Sequence, residues 1–184
     1  MKKIVSVIAM FMASSAFAGG LVGFEFEREK YSNGVYENTV KVAPGYKAAN
    51  GVKYDLQFGA SREDGTEKQL DNSIEARVQK LWAVGPVHIG GRVSVGEKFK
   101  TGGDFSYYTV EPKAEMPLGA SGVSLLTSYR YRNAFGSGHD YKTGTTKVGV
   151  GYDLTKNAGV EVKYFQKRGD EHSNGVEFGL GFKF

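Results

Sequence analysis

The last nine residues of the chain, VEFGLGFKF at positions 176–184, decide its fold. Counting back from the last position, an apolar residue occupies every second place, and glutamate, glycine or lysine occupies the places between. Successive side chains of a β-strand point to opposite faces. The stretch therefore predicts a strand with one apolar face, formed by Val176, Phe178, Leu180, Phe182 and Phe184.

The same five positions resemble the C-terminal signature by which the barrel-assembly machinery recognises outer-membrane β-barrels. The resemblance includes the aromatic residue at the last position, Phe184. It implies that the five residues form an assembly signal and that the protein resides in the outer membrane of a Gram-negative bacterium. A strand of a soluble sandwich would alternate in the same way, but it would have no reason to stop on an exposed phenylalanine.

The alternation recurs along the chain, at positions 52–60, 87–95, 123–131 and 146–154. The mean hydropathy is nevertheless negative, at −0.36. A membrane barrel resolves this conflict, because only every second residue of its strands meets lipid.

Turn residues divide the chain into segments that are each about long enough to cross a bilayer as a tilted strand. Compact turns, among them 44–45, 85–86, 117–119 and 155–159, are expected on the periplasmic side. The other connections are polar and charged and are expected outside, where they are unusually short for outer loops. We therefore predict an all-β, transmembrane, antiparallel up-and-down barrel of about ten strands, with eight or twelve as alternatives. The predicted strands are 20–30, 35–44, 51–62, 70–82, 86–98, 104–116, 122–134, 144–154, 158–168 and 175–184.

The first eighteen residues have a charged start, a short apolar middle and a small-residue end. This pattern predicts a secretory signal peptide, 1–18, cleaved after Ala18, so that 19–184 forms the barrel. The net charge of +4 includes Lys2 and Lys3, and the remaining charges are spread along the chain. No nucleic-acid partner is expected from such a distribution.

Positions that alternate with the apolar face are expected to line the lumen, and they carry acids and bases in similar numbers. Such a belt is either a structural salt-bridge network or the wall of a water path.

Ten strands allow a constricted path at most. Inward glycines at 149, 151, 179 and 181 favour some opening. The predicted lumen residues are Glu27, Glu75, Arg77, Arg92, Glu111, Lys113, Arg130, Arg132, Lys147 and Glu177.

Residues 129–132 (YRYR), followed by 147–154 and 160–164, resemble the C-terminal half of the oligogalacturonate-specific porin family. Those porins are narrow monomeric barrels with arginines in the lumen that pass acidic sugars. By that resemblance Arg130 and Arg132 are lumen cations, and the protein is a monomer.

From these features we predict a narrow porin-like channel for passive passage of small polar or anionic solutes. Arg130 and Arg132 are expected to form an uncancelled cationic pair near the outer mouth. The alternative is a non-conducting structural or adhesive barrel with a salt-bridged lumen. Other expected partners are outer-membrane lipid and lipopolysaccharide.

Catalysis is the rival function. Asp170-Glu171-His172 has the Asp-x-His spacing of the omptin outer-membrane proteases, but the second acidic pair of that family, Asp-x-Asp, has no counterpart. The chain has no cysteine, and no cluster of histidine and carboxylate residues has metal-ligand spacing. We therefore expect neither an enzyme nor a bound metal or cofactor.

Deleting Phe184, or replacing it with Asp, should impair assembly, because it removes the last aromatic residue of the predicted signal. Fractionation of cells and heat-shift gels would measure the amount of folded protein in the outer membrane. Normal insertion of the truncated chain would contradict the assembly-signal hypothesis.

Overall fold

The computed structural model describes residues 19–65, 70–100, 103–136 and 141–184. The predicted signal peptide, 1–18, lies outside these residues, as do short parts of three loops. Among the residues that the structure describes, no helix is long and apolar enough to cross a membrane.

Ten strands form a closed antiparallel barrel in which each strand pairs with its neighbours in sequence. The last strand pairs with the first from Leu21 opposite Lys183 to Tyr31 opposite Ser173, which closes the cylinder. The prediction of ten strands is confirmed, and most boundaries agree to within two residues. The strands are β1 (Gly20–Tyr31), β2 (Tyr36–Lys47), β3 (Lys53–Glu63), β4 (Leu70–Val84), β5 (Val87–Phe99), β6 (Phe105–Pro117), β7 (Val123–Ala134), β8 (Thr143–Thr155), β9 (Ala158–Gly169) and β10 (Ser173–Lys183).

The predicted turn at Pro44 and Gly45 is wrong, because β2 continues to Lys47. Proline lacks the N–H group that a strand needs to pair on both sides. Pro44 pairs with Val22 of β1, while the ladder toward β3 is interrupted between Val42 and Gly45 and resumes in the same register. A proline in a barrel strand therefore removes local pairing without ending the strand.

The outer surface is a band of exposed apolar side chains, including Val93 and Val148 at 54% and 50% exposure. Aromatic residues flank this band at both ends, as in membrane barrels. One end carries Trp82 and Tyr152, and the other carries Tyr108, which contacts Tyr131 and Phe135. Aromatic side chains thus form a girdle at each edge of the apolar band.

Phe105, the first residue of β6, does not belong to the outer girdle. It is only 6% exposed and packs against Tyr141, with ring centroids 4.6 Å apart. Phe105 shares the inward face of β6 with Tyr107, which is also buried. The aromatic residues of this barrel therefore serve the lumen as well as the membrane face.

The two ends of the barrel differ in their connections. The connections at the end that holds Gly20 and Lys183 have two to five residues, such as Gly85–Pro86, and those at the opposite end have three to eight, so the longest ones lie at that end. Membrane barrels have short periplasmic turns and longer external loops. We therefore refer to the end with Gly20 and Lys183 as the periplasmic end and to the other as the outer end.

Replacing Val148 with Arg should lower the free energy of unfolding in lipid vesicles by about 2–4 kcal/mol, because this exposed mid-strand side chain faces lipid. Leu126→Arg is the control, since Leu126 lines a cavity at the periplasmic end of the lumen. Urea unfolding would measure the free energy of unfolding of both variants. Equal losses at the two positions would contradict the assignment of faces.

Candidate functional site in the barrel lumen

All ten predicted lumen residues lie on the inward faces of their strands. Arg92, for example, is partly buried, whereas the next residue in the strand, Val93, is exposed on the membrane face. Four of the ten are partly buried: Glu27, Arg92, Lys113 and Arg132. Six are buried: Glu75, Arg77, Glu111, Arg130, Lys147 and Glu177. The structure therefore places these ten charged side chains inside the barrel.

Glu75 is the centre of one half of a charged belt that crosses the lumen. Its carboxylate accepts hydrogen bonds from Arg130 at 3.0 Å, from the Ser94 hydroxyl at 2.7 Å and from the Tyr107 hydroxyl at 2.9 Å. Arg130 also lies 3.9 Å from Glu111. Burial of a charged group is tolerable only with such partners.

The other half of the belt surrounds Glu27 and Glu177. Lys147 pairs with both carboxylates, at 3.4 Å from Glu27 and more closely to Glu177. Lys41 pairs with Glu27, and Lys163 lies 3.0 Å from Glu177. We call the two halves together, with the pair Arg77–Asp55, the lumen belt.

Three belt carboxylates, Glu25, Glu27 and Glu177, have oxygens within 4.8 Å of one another, a spacing that could hold a metal ion. Lys41 and Lys147 already contact Glu27, and Lys147 contacts Glu177. Their ammonium groups supply the positive charge that a metal ion would bring. The cluster is therefore accounted for by its own lysines.

Arg130 and Arg132 do not form the uncancelled pair that the sequence predicted. Arg130 is buried against Glu75, so its charge is neutralised. Arg132 lies over the rings of Tyr107 and Tyr141, 5.2 and 5.1 Å from their centroids, and donates a hydrogen bond of 2.7 Å to the Tyr141 hydroxyl. Cation–π contacts of this kind hold the guanidinium in place. The outer part of the lumen is thus narrowed by an arginine stacked on aromatic rings.

A cavity of about 420 Å³ occupies the periplasmic end of the lumen, and we call it the periplasmic vestibule. Gly151, Gly179 and Gly181 line it, so three of the four inward glycines do leave space. Gly149 does not, because a side chain there would press against the backbone of Val162 and against Lys163. A smaller cavity of about 70 Å³ lies on the outer side of the belt.

The vestibule contains both basic and acidic side chains, and Lys113 is a base there that lacks a close carboxylate in the described part of the chain. The Lys113 ammonium lies 3.3 Å from the side-chain oxygen of Gln79, and among the described residues no carboxylate lies within 4 Å of it. Arg92 lines the same cavity, 3.5 Å from Glu111. The sequence predicted both residues in the lumen. It could not show that Lys113 lacks the close carboxylate that most of the other predicted lumen cations, such as Arg92, have.

Residues 170–172, which have the Asp-x-His spacing, lie in the loop between β9 and β10. The Asp170 carboxylate accepts a hydrogen bond from the backbone N–H of Lys142 at 2.5 Å, and Glu171 pairs with Lys167 at 3.1 Å. Both acids therefore hold the outer rim together.

Solved structures similar to this one are outer-membrane barrels. The beta domain of the Bordetella autotransporter BrkA matches with a TM-score of 0.61 and 9% identity, over 90% of this chain and 99% of that one. The translocator domain of autotransporter NalP from Neisseria meningitidis gives a TM-score of 0.52 and 9% identity, over 100% and 95% of the two chains. The chain has the fold of an outer-membrane β-barrel.

The KdgM porin in complex with disordered oligogalacturonate matches 89% of this chain and 99% of its own, with a TM-score of 0.49 and 12% identity. No family model matches this chain, and no curated protein does. At these identities the similarities establish the fold alone. The expected likeness to the oligogalacturonate-specific porins in substrate stays a prediction.

Replacing Glu75 with Gln should lower the free energy of unfolding by about 3 kcal/mol or more, because Arg130 then stays buried without its main counter-ion. Glu115→Gln is the control, since Glu115 lines the vestibule. Replacing Glu75 and Arg130 together with Met should recover most of the loss. Urea unfolding in vesicles measures all three, and equal effects of Glu75→Gln and Glu115→Gln would contradict the belt assignment.

Proposed function

We propose that this protein is a monomeric outer-membrane channel of low conductance, which passes small polar solutes and favours anions. It would enter the membrane through the barrel-assembly machinery, which recognises the last strand. The proposal combines the barrel fold with a lumen that carries charged side chains in the vestibule and in the lumen belt. No step of this function requires a cofactor or a catalytic group.

The observation that carries the proposal is the loose pairing within the lumen belt. Arg77 Nη1, Asp55 Oδ2 and Arg130 Nε are buried without a hydrogen-bond partner among the described residues. The charged groups paired with these three atoms belong to Glu25, Lys53 and Glu111 and lie at 3.9, 3.5 and 3.9 Å, beyond the usual length of a direct hydrogen bond. Bridging water commonly satisfies buried polar atoms at such separations, which supports a hydrated constriction rather than a dry plug.

The preference for anions follows from the charge of the periplasmic vestibule. Lys113 has no carboxylate within 4 Å among the described residues. Of the described residues that line the cavity, the basic ones outnumber the acidic ones, six to four: Lys47, Lys53, Arg92, Lys113, Lys163 and Lys183 against Glu25, Glu115, Asp153 and Glu161. In a low-dielectric wall these charges raise the local concentration of anions. The cavity of about 420 Å³ holds roughly fourteen waters at about 30 Å³ each, which is enough for a small hydrated anion.

A non-conducting structural barrel is the second candidate. The belt side chains support it, because Glu75, Arg77, Glu111 and Glu177 are each only 3% exposed. In this candidate the salt bridges close the lumen permanently, and the protein acts through its surface.

Planar-bilayer recording of purified protein distinguishes the two candidates. A channel of this kind should give small steps, with a reversal potential shifted toward that of the anion in a salt gradient. Lys113→Glu should move selectivity toward cations, because it inverts the free charge of the vestibule. Lys156→Glu makes the same charge change in an exposed turn and should leave selectivity unchanged.

A silent bilayer with verified insertion would contradict the channel proposal and favour the structural barrel. Equal shifts in selectivity for Lys113→Glu and Lys156→Glu would show that the vestibule charge does not act on the path.

A further inference from the structure

A groove on the membrane face of the outer rim is built unlike the rest of that surface. Its cavity of about 530 Å³ runs across β7, β8 and β9. Gly144 of β8 forms the floor, between Tyr131 of β7 and Arg168 of β9, which are its cross-strand partners. We call this site the rim groove. Its lining residues are Tyr129, Tyr131, Lys142, Thr143, Gly144, Thr146, Gln166, Arg168, Gly169 and Asp170.

The groove lies directly above the apolar band. Thr146 pairs with Tyr129 and Gln166, and the next outward row toward the periplasm contains Val148 and Tyr164, which are 50% and 49% exposed. The Tyr131 wall continues into the outer aromatic girdle through its contact with Tyr108. The groove is therefore at the level where lipid headgroups meet acyl chains.

The cations of the groove are not neutralised as those of the lumen are. Among the described residues, neither Lys142 nor Arg168 has a carboxylate within 4 Å of its charged group, whereas Arg28 on the same rim pairs with Asp64 at 3.3 Å. The Arg168 guanidinium donates a hydrogen bond to Gln166 at 3.3 Å. The one acid in the groove, Asp170, accepts from the backbone N–H of Lys142 at 2.5 Å, which fixes the loop beside the groove.

The absence of a side chain at Gly144 makes room for the ring of Tyr129 on the floor of the groove. A Cβ there would lie 3.1 Å from Cζ of Tyr129 and closer still to its hydroxyl, so any larger residue would push this ring. The ring lies across the glycine and covers its backbone, as aromatic residues do beside strand glycines. A floor covered by an aromatic ring, hydroxyl groups on one wall and cations on the other suit a phosphate group attached to an apolar body.

We propose that the rim groove binds a phosphate of lipid A, the lipid anchor of lipopolysaccharide in the outer leaflet. Lys142 and Arg168 contact the phosphate through charge-assisted hydrogen bonds. The apolar row below, with Val148 and Tyr164, contacts the acyl chains. The site is separate from the lumen and does not depend on whether the barrel conducts.

Titration of the detergent-solubilised full-length protein with bisphosphorylated lipid A, followed by native mass spectrometry, tests this site. One lipid should bind, and Lys142→Gln with Arg168→Gln should weaken binding roughly thirtyfold, since each of the two cations near a lipid headgroup contributes on the order of 1 kcal/mol. The control pair Arg28→Gln with Lys30→Gln removes the same charge from the same rim and should change binding less than twofold. Gly144→Val keeps both cations and should also weaken binding.

The form of the lipid identifies the source of the phosphate. Lipid A without phosphates should bind the unmodified protein as weakly as the groove variant binds intact lipid A. Inorganic phosphate and phosphatidylglycerol at equal concentration should not displace lipid A. Three results would overturn the proposal. The first is an equal loss of binding in the groove variant and in the control pair, and the second is displacement of lipid A by either competitor. The third is unchanged binding in folded Lys142→Gln with Arg168→Gln. Heat-shift gels verify that each variant is folded.

Discussion

Closure of ten strands into one cylinder forces every second side chain into a narrow interior, and this constraint governs the rest of the structure. Charged residues at those positions must find partners there, because an isolated buried charge costs several kcal/mol. The ion pairs Arg130–Glu75 and Lys147–Glu177 are the result. The same closure leaves the apolar residues outside, where Val93 and Val148 meet lipid.

The lumen is uneven along its length because side-chain volume is uneven. Long arginine and lysine side chains fill the belt, while Gly151, Gly179 and Gly181 leave the periplasmic vestibule open. Arg132, stacked on Tyr107 and Tyr141, narrows the outer side. Together these features give one constriction with a larger polar cavity on one side of it, which is the geometry expected of a path that selects by size before charge.

The fold was predictable from the sequence because period-two alternation and turn residues are local signals, and the closed ten-strand barrel confirms them. The partners of individual charges were not predictable. Arg130 and Glu75 are 55 positions apart, and Lys147 and Glu27 are 120 apart. Their pairing depends on the stagger of all the strands between them. For the same reason the hydroxyl groups of Ser94 and Tyr107, which complete the site around Glu75, gave no signal in the sequence.

Cysteine accessibility tests most directly the claim that the belt separates the vestibule from the outer side of the lumen. The chain has no cysteine, so single replacements at Lys113, in the vestibule, and Ser94, in the belt, give clean reporters. In sealed vesicles with a known orientation, a membrane-impermeant maleimide should label the cysteine at 113 from the periplasmic side alone and should leave the cysteine at 94 unmodified from either side. Equal labelling of both positions from both sides would mean an open lumen and would contradict this account.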